Sequence, residues 1–492
     1  MSNAATSKPD RAILLKKCPS LTPPNSDDLH FWRQHVEQPL IKLMELSKYT
    51  LSALQSHVAL IELYVLPALG PAARKEGGVW TFFSPSFMND NQCPVELSLT
   101  WTKGRPSVRF SIEPIGRASP DISQSQANIA AAEELCQRLS AAGIGRFDRL
   151  RDLAAEVICD DEAESRSGDA RKPEQESQVF IAFDLLHSGD AMVKAYVMPH
   201  ARASRTSDPN LQIINRAVRR TGAAGQAWQS LLDYLSTLRP EEQPEAVILS
   251  TDCIDDPTAR LKIYFRYRTM DIQRVVQHLT LGGATAEART GGAKRWNDRL
   301  RQMWDALLSG DRGGRRVDEA EVRAQLEASC SEPTGGVLVY YDFSSSLDRV
   351  TAKVYLPVRH WTAFPNATIA KAVSELVQSS SGTISSPPGA LAYEDMLTHL
   401  VGDSDLRVQN YVSLGEKKDG RMDVCVYLNP LPSSKPNNPE PEFEARAGTV
   451  TTTTATPTLC AQPLRRLRDA HSRITSLPRL RVRFRAANSM AL

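Results

Sequence analysis

Residues 260–267 read RLKIYFRY. The alternation puts Arg260, Lys262 and Tyr264 on one face and Leu261, Ile263 and Phe265 on the other, the pattern of a β-strand with one covered face. The cation–gap–tyrosine pattern recurs along the chain. Lys194 and Tyr196 stand in VKAYVMP (193–199), which also carries Met198, and Lys353 and Tyr355 stand in AKVYLPV (352–358). Arg109 in VRFSIEP (108–114) and Tyr427 in VCVYLNP (424–430) are diluted forms. These strands either present one solvated face five times or build one site from five pieces.

Each of these strands completes a hairpin. CPVELSLTW pairs with SVRFSIEP across Lys103–Pro106, and VFIAFDLL pairs with MVKAYVMP across His187–Asp190. AVILSTDC pairs with RLKIYFRY and VLVYYDFS with TAKVYLPV; VQNYVSLG pairs with MDVCVYLNP across Lys417–Gly420. Gly and Asp in short connections are hairpin signals. Helical periods separate the hairpins, for example Ile369, Ala372, Val373, Leu376 and Val377 before the fifth. The plan is helix, two strands, helix, five times over. Corresponding positions (109, 194, 262, 353, 425) lie 85, 68, 91 and 72 residues apart, too irregular for a solenoid but compatible with a repeated unit carrying loop insertions.

The chain has 492 residues and a formal net charge of +2, so any electrostatic work must be local. Its eight cysteines include no CxxC pair, and its nine histidines form no close metal cluster; reduced thiols in a cytoplasmic protein are expected. No run of 18 apolar residues suggests a membrane span, and the N-terminus lacks an apolar signal-peptide segment. The expected organisation is a flexible N-terminus (1–27), a body (28–430) and a low-complexity tail (431–492). The tail ends in a segment, 464–485, with eight arginines and one aspartate, read as a solvated tail without a specific nucleic-acid target. The polar insertion 159–177 reads as mobile. Within it, Asp160–Glu164 (DDEAE) resembles a metal-holding DDxxD motif but has no second motif to complete it.

The apolar strand faces need cover, and the amphipathic helices supply it. Ten antiparallel strands could stay open with the polar face in water. They could also close into a barrel with that face inside, which removes exposed edges and leaves room for a ligand. The face favours closure, because its cations have no acidic partner on their own strands. Arg109, Lys194, Arg260, Lys262 and Lys353 would converge, and an anion with two phosphates would suit them. Tyr196, Tyr264, Tyr355 and either Tyr411 or Tyr427 add hydroxyls and ring faces that can shelter a cation. Glu96 shares a face with Ser98 and Thr100. In a cationic barrel it is expected to stay ionised and to accept a hydrogen bond from a nucleophile.

These pieces, together with ALIELYVLPALGP and VWTFFSPSFMNDNQCPVELS, resemble the fungal dimethylallyltryptophan synthase family of aromatic prenyltransferases over most of residues 28–430. The resemblance implies an α+β fold: an antiparallel ten-stranded barrel of five αββα repeats, helices outside and the active site in the lumen. It implies transfer of a dimethylallyl group from dimethylallyl diphosphate to a small aromatic acceptor, usually an indole, without a cofactor or metal, in secondary metabolism, by a monomer or homodimer. Arg109, Lys194, Arg260, Lys262 and Lys353 match the family's diphosphate-binding cations. Tyr196, Tyr264, Tyr355 and Tyr411 match its tyrosine shield, with Tyr427 and Met198 as further candidates. Glu96 matches the glutamate that holds the indole N–H. Two positions depart from the tryptophan-using pattern: Val247 stands where an arginine is expected, and Phe180 where some relatives have a lysine. Tryptophan-containing cyclic dipeptides, other indoles and phenols such as tyrosine therefore stay open as acceptors. A non-catalytic barrel for polyanions is the rival of a different class; an inward Glu96 would serve it no purpose.

Overall fold

The structure is a computed structural model and describes residues 13–14, 21–102, 105–116, 123–159, 177–222, 225–255, 259–283, 292–308, 328, 330, 335–344, 347–361, 366–380, 391–402, 406–416 and 422–432. Most of the polar insertion, including Asp160–Glu164, and nearly all of the C-terminal tail lie outside the described residues.

Strands β1 (Arg74–Glu76) and β2 (Val79–Thr81) form a small separate ribbon. The barrel is made by β3 (Val95–Thr102), β4 (Arg105–Ile112), β5 (Val179–Leu185), β6 (Ala191–Val197), β7 (Glu245–Asp252), β8 (Leu261–Tyr267), β9 (Val337–Ser344), β10 (Leu347–Leu356), β11 (Gln409–Glu416) and β12 (Met422–Leu428). Each pairs antiparallel with the next, and β12 returns to β3 from Cys425 opposite Thr100 to Leu428 opposite Leu97. The ten-stranded barrel is therefore closed, and none of its strands is left with a free edge. The expected connection Lys103–Pro106 is shorter than it reads: Arg105 and Pro106 belong to β4, opposite Thr102 and Trp101.

The apolar faces point outward. On β8, Leu261, Ile263, Phe265 and Tyr267 are all buried to within 1% of full burial. Helices cover them because their own apolar residues fall on one stripe. Helix Asn210–Thr221 buries Ile213, Ile214, Ala217 and Val218 and lies against β7. Helix Ile272–Leu279 buries Val275, Val276 and Leu279. Outer-wall hydroxyls are also satisfied: Tyr267 and Tyr341 share a hydrogen bond of 2.8 Å, and Tyr341 donates to the His278 carbonyl at 2.9 Å. Each fully buried aliphatic or phenyl side chain here contributes about 1.5–3 kcal/mol of transfer free energy.

Candidate active site

Strand alternation and ladder register sort the lumen into layers. All ten strands are antiparallel, so the starts of β3, β5, β7, β9 and β11 share one end of the barrel with the ends of β4, β6, β8, β10 and β12. Glu96, Phe180, Met198, Ile248, Leu338 and Tyr411 belong to that end. Asp184, Asp252, Arg260, Asp342 and Asp423 belong to the other, with Arg109, Lys194, Lys262 and Lys353 one step inward. The tyrosines lie between.

At the charged end the five cations converge, but not alone. Lys194 meets Asp184 at 2.5 Å, and Arg109 approaches the same carboxylate at 3.4 Å. Arg260 and Lys262 reach Asp252 at 2.7 and 3.3 Å, Arg260 also nears Asp342 at 3.8 Å, and Lys353 lies 3.3 Å from Asp423. The cations lack acidic partners on their own strands, yet adjacent strands supply Asp184, Asp252 and Asp342, and Asp423 reaches Lys353 from β12, two strands away. Five cations against four carboxylates still leave a positive excess. Arg109 Nε is buried with no hydrogen-bond acceptor among the described residues, its approach to Asp184 being poorly aligned. Electrostatics record the crowding. Burial, then the charges of Arg109, Lys262 and Arg260, push Lys194 down to about 7 against the pull of Asp184. Lys262 is lowered by burial and by Arg260. Burial opposes ionisation of Asp184, but Arg109 and Lys194 outweigh it and hold the carboxyl at about 2. Asp342 is raised by burial. Lys353 lies along the wall because Gly415 faces it on β11; a Cβ there would meet the lysine's Cγ and Cδ at 3.3 Å. Such a site can take an anion, and would be relieved by one.

The middle layer is aromatic. Tyr264 has Tyr196, Tyr340 and Tyr355 around it at centroid distances of 6.1, 5.2 and 6.0 Å, and Tyr427 is 5.4 Å from Tyr355. Burial holds Tyr264, Tyr355 and Tyr427 as neutral phenols well above the usual tyrosine range. Lys262 stands 5.9 Å from the Tyr340 ring and Lys353 5.8 Å from the Tyr355 ring, so the belt already carries cations at its charged side. Tyr411 differs from the rest. It lies 6.3 Å from Tyr355, but the Arg359 guanidinium covers it at 4.5 Å and donates to its hydroxyl at 2.9 Å.

The third layer combines apolar side chains with one carboxyl. Met88, Phe180, Met198, Ile248 and Leu338 are buried together, with Phe87 and Val247 packed against them. Phe180 stacks on Tyr196 at 4.1 Å. Both positions that depart from the tryptophan-using pattern thus line this end. Glu96 accepts a hydrogen bond of 3.1 Å from Asn410 Nδ2, and Asn410 also donates to Asn89 at 2.6 Å. The expectation that Glu96 stays fully ionised is corrected by its position, at the far end from the cation ring. Burial raises it to about 7, opposed by Asn410 and Arg359. A group poised there can accept an N–H or O–H when ionised. Among the described residues no cluster of three or more His, Cys, Asp or Glu is placed to hold a metal ion.

The sequence profile of the tryptophan dimethylallyltransferase family matches residues 28–383. The chain belongs to this family. It is 27% identical over 415 residues to the 4-O-dimethylallyl-L-tyrosine synthase of Claviceps purpurea, covering 82% of this chain and 88% of that one. It is 23% identical over 429 residues to a 7-dimethylallyltryptophan synthase of Aspergillus fumigatus, covering 81% and 84%. Among solved structures, NotF in complex with brevianamide F and DMSPP superposes with a TM-score of 0.66 at 22% identity, over 84% of this chain and 96% of NotF. AnaPT from Neosartorya fischeri gives 0.65 at 18% identity, over 84% and 96%. The closed barrel is the fold of these structures. As a member of the family the chain is an aromatic prenyltransferase that transfers a dimethylallyl group.

Sequence reading missed Tyr340, the four lumenal aspartates, and Asn89, Asp90, Asn410 and Arg359 around Glu96. The aspartates carried a usable signal, since Asp184, Asp252 and Asp342 each sit on the first strand of a hairpin in phase with the inward face. Asn89 and Asp90 lie just before Glu96 in the chain but show no periodicity that marks them, and Arg359 and Asn410 come from more than 200 residues away.

Proposed function

We propose that this dimethylallyltransferase binds dimethylallyl diphosphate at the charged end of the lumen and alkylates an indole or phenol held by Glu96 at the other. The carrying observation is the polarity gradient along one lumen: a cation ring, a belt of tyrosines, then an apolar layer with one carboxyl. In the reaction the C–O bond to diphosphate breaks and its electron pair leaves with the diphosphate. Arg109, Lys194, Arg260, Lys262 and Lys353 stabilise that growing charge, the role a divalent metal plays elsewhere, so the reaction proceeds without one. The allylic cation meets the faces of Tyr196, Tyr264, Tyr340, Tyr355 and Tyr427, which also exclude water. The acceptor ring attacks it, donating its electron pair, while Glu96 takes a hydrogen bond from the acceptor N–H or O–H and draws density into the ring. Loss of one proton completes the product.

The acceptor class rests on Glu96 and on the apolar layer beside it. An indole of the kind used in alkaloid biosynthesis is the first reading. A phenol is the second, and the likeness to a tyrosine-directed relative supports it. The test is incubation with dimethylallyl diphosphate and EDTA against tryptophan, tyrosine, other indoles and tryptophan-containing cyclic dipeptides, with products read by mass spectrometry. Alkylated product in EDTA supports the reading. Diphosphate release that requires Mg²⁺, or no product with any aromatic, sinks it.

A further inference from the structure

Arg359 follows β10 in the one-turn helix Val358–Trp361, and its side chain is only 7% exposed. It is held on three sides. Its Nε lies 2.9 Å from Asp90 Oδ2 and 3.3 Å from His360 Nε2. Its Nη2 donates to the Tyr411 hydroxyl while the guanidinium plane covers the Tyr411 ring. Its Nη1 is buried with no hydrogen-bond partner among the described residues. A buried guanidinium with an idle donor is costly if it serves only as a staple. Its position offers a use. Asp90 belongs to the segment that carries Phe87 and Met88 into the lumen, and Tyr411 forms part of the lumen wall next to Asn410, the partner of Glu96.

We propose that Arg359 is a positioning residue for the acceptor: it clamps the Phe87–Asp90 segment and Tyr411 as the two walls beside Glu96, and lends Glu96 its positive charge. The inference rests on Glu96 serving the acceptor as set out above. Among the described residues, no other group around Glu96 supplies that charge. On its own strand's approach Glu96 has Cys93, a thiol that burial pushes up to about 12. The paired β4 offers Ser111, and beyond it Glu113, whose carboxyl is taken by Ser86 and Ser177. β11 offers Asn410 and Tyr411, neither of which is a cation. Beside Arg359, His360 is pushed down to about 4 by burial and by Arg359, so it is neutral at pH 7. Asp90, 2.9 Å from Arg359 Nε, brings no positive charge of its own.

The test separates charge from shape. Glu96 ionisation is followed by infrared difference titration of the full chain against Glu96→Gln, which removes the Glu113 signal from the difference. Arg359→Met is expected to raise the Glu96 midpoint by about one pH unit, and Arg359→Lys to leave it nearly in place. With tyrosine and tryptophan as acceptors, the acidic limb of kcat/KM should move up with the midpoint in Arg359→Met. Acceptor KM should rise roughly fivefold in both variants, because both lose the fork that holds Tyr411 and Asp90. If Arg359→Met does not fold, Arg359→Gln makes the same test. A folded charge-removing variant with an unmoved midpoint overturns the inference, as does Arg359→Lys shifting it as far as Arg359→Met. No transfer with any acceptor, alongside a moved midpoint, would overturn the proposed role of Glu96 and with it the acceptor role of Arg359, leaving only the charge coupling between the two.

Discussion

Donor binding at the proposed cation ring is expected to take up a proton at Lys194. Burial and the neighbouring cations lower it to about 7, so at pH 8 most molecules hold it neutral. A diphosphate set among Arg109, Lys194 and Lys262 reverses the balance and returns the lysine toward its ordinary value near 10.4. The sign follows from linkage. A group whose affinity for protons is higher in the complex takes up a proton on binding, and the complex weakens as pH rises from the free value toward the bound one. The window is therefore above about pH 7, where the donor's own phosphates are also nearly fully ionised. The limiting slope is one proton, about a tenfold loss of affinity per pH unit. The assay is calorimetric titration with the thiolodiphosphate analogue of the donor between pH 7.5 and 9, in buffers of different ionisation heat. Between half a proton and one proton taken up at pH 8 is expected. Lys194→Arg keeps a permanent charge, so it should bind with little pH dependence and no uptake from this site. Flat affinity across the window in the wild type, or the same uptake in Lys194→Arg, would refute the reasoning.

Glu96→Gln should lower the transfer rate by on the order of 10²–10³ with donor affinity nearly unchanged, whereas Lys262→Ala should weaken donor binding and also slow transfer; equilibrium titration and single-turnover rates on folded variants separate the two. With Glu96 at about 7 through burial, kcat/KM for the acceptor should rise as pH rises through that value, since only the carboxylate accepts the acceptor's proton donor; a profile that falls from pH 6 to 8 would contradict it. Gly415→Ala should weaken donor binding several-fold by pressing on Lys353, readable as Kd for the analogue. A chain ending at Pro430 should melt below one ending at Pro432, because Leu431 is 2% exposed and joins Asn91 and Asn429 through its backbone; about 2–4 kcal/mol is at stake.

The barrel was legible because its signal is local. The period-2 alternation in RLKIYFRY and its counterparts states which face is covered, and the tyrosine-and-cation content of the other face argues that it is enclosed. The charge balance was less legible. Asp184, Asp252 and Asp342 stand on other strands than the cations and oppose or neighbour them only through the antiparallel register. Register also decides between Tyr340 and Tyr341 in VLVYYDFS: the first joins the lumen belt and the second bonds to Tyr267 on the outer wall. The ionisation of Glu96 was misjudged because sequence shows that it faces inward but not how far along the lumen it lies from the cations. Arg359 was invisible for a different reason: Tyr411 reaches it through the β10–β11 pairing, and Asp90 only through closure of the barrel between β12 and β3.

The central claim is that donor and acceptor occupy opposite ends of one lumen. A crystal structure of the full chain with the thiolodiphosphate analogue tests it most directly. The account predicts the diphosphate among Arg109, Lys194, Arg260, Lys262 and Lys353, with the dimethylallyl chain directed into the tyrosine belt toward Glu96. A diphosphate bound beside Glu96, or outside the barrel, would contradict it.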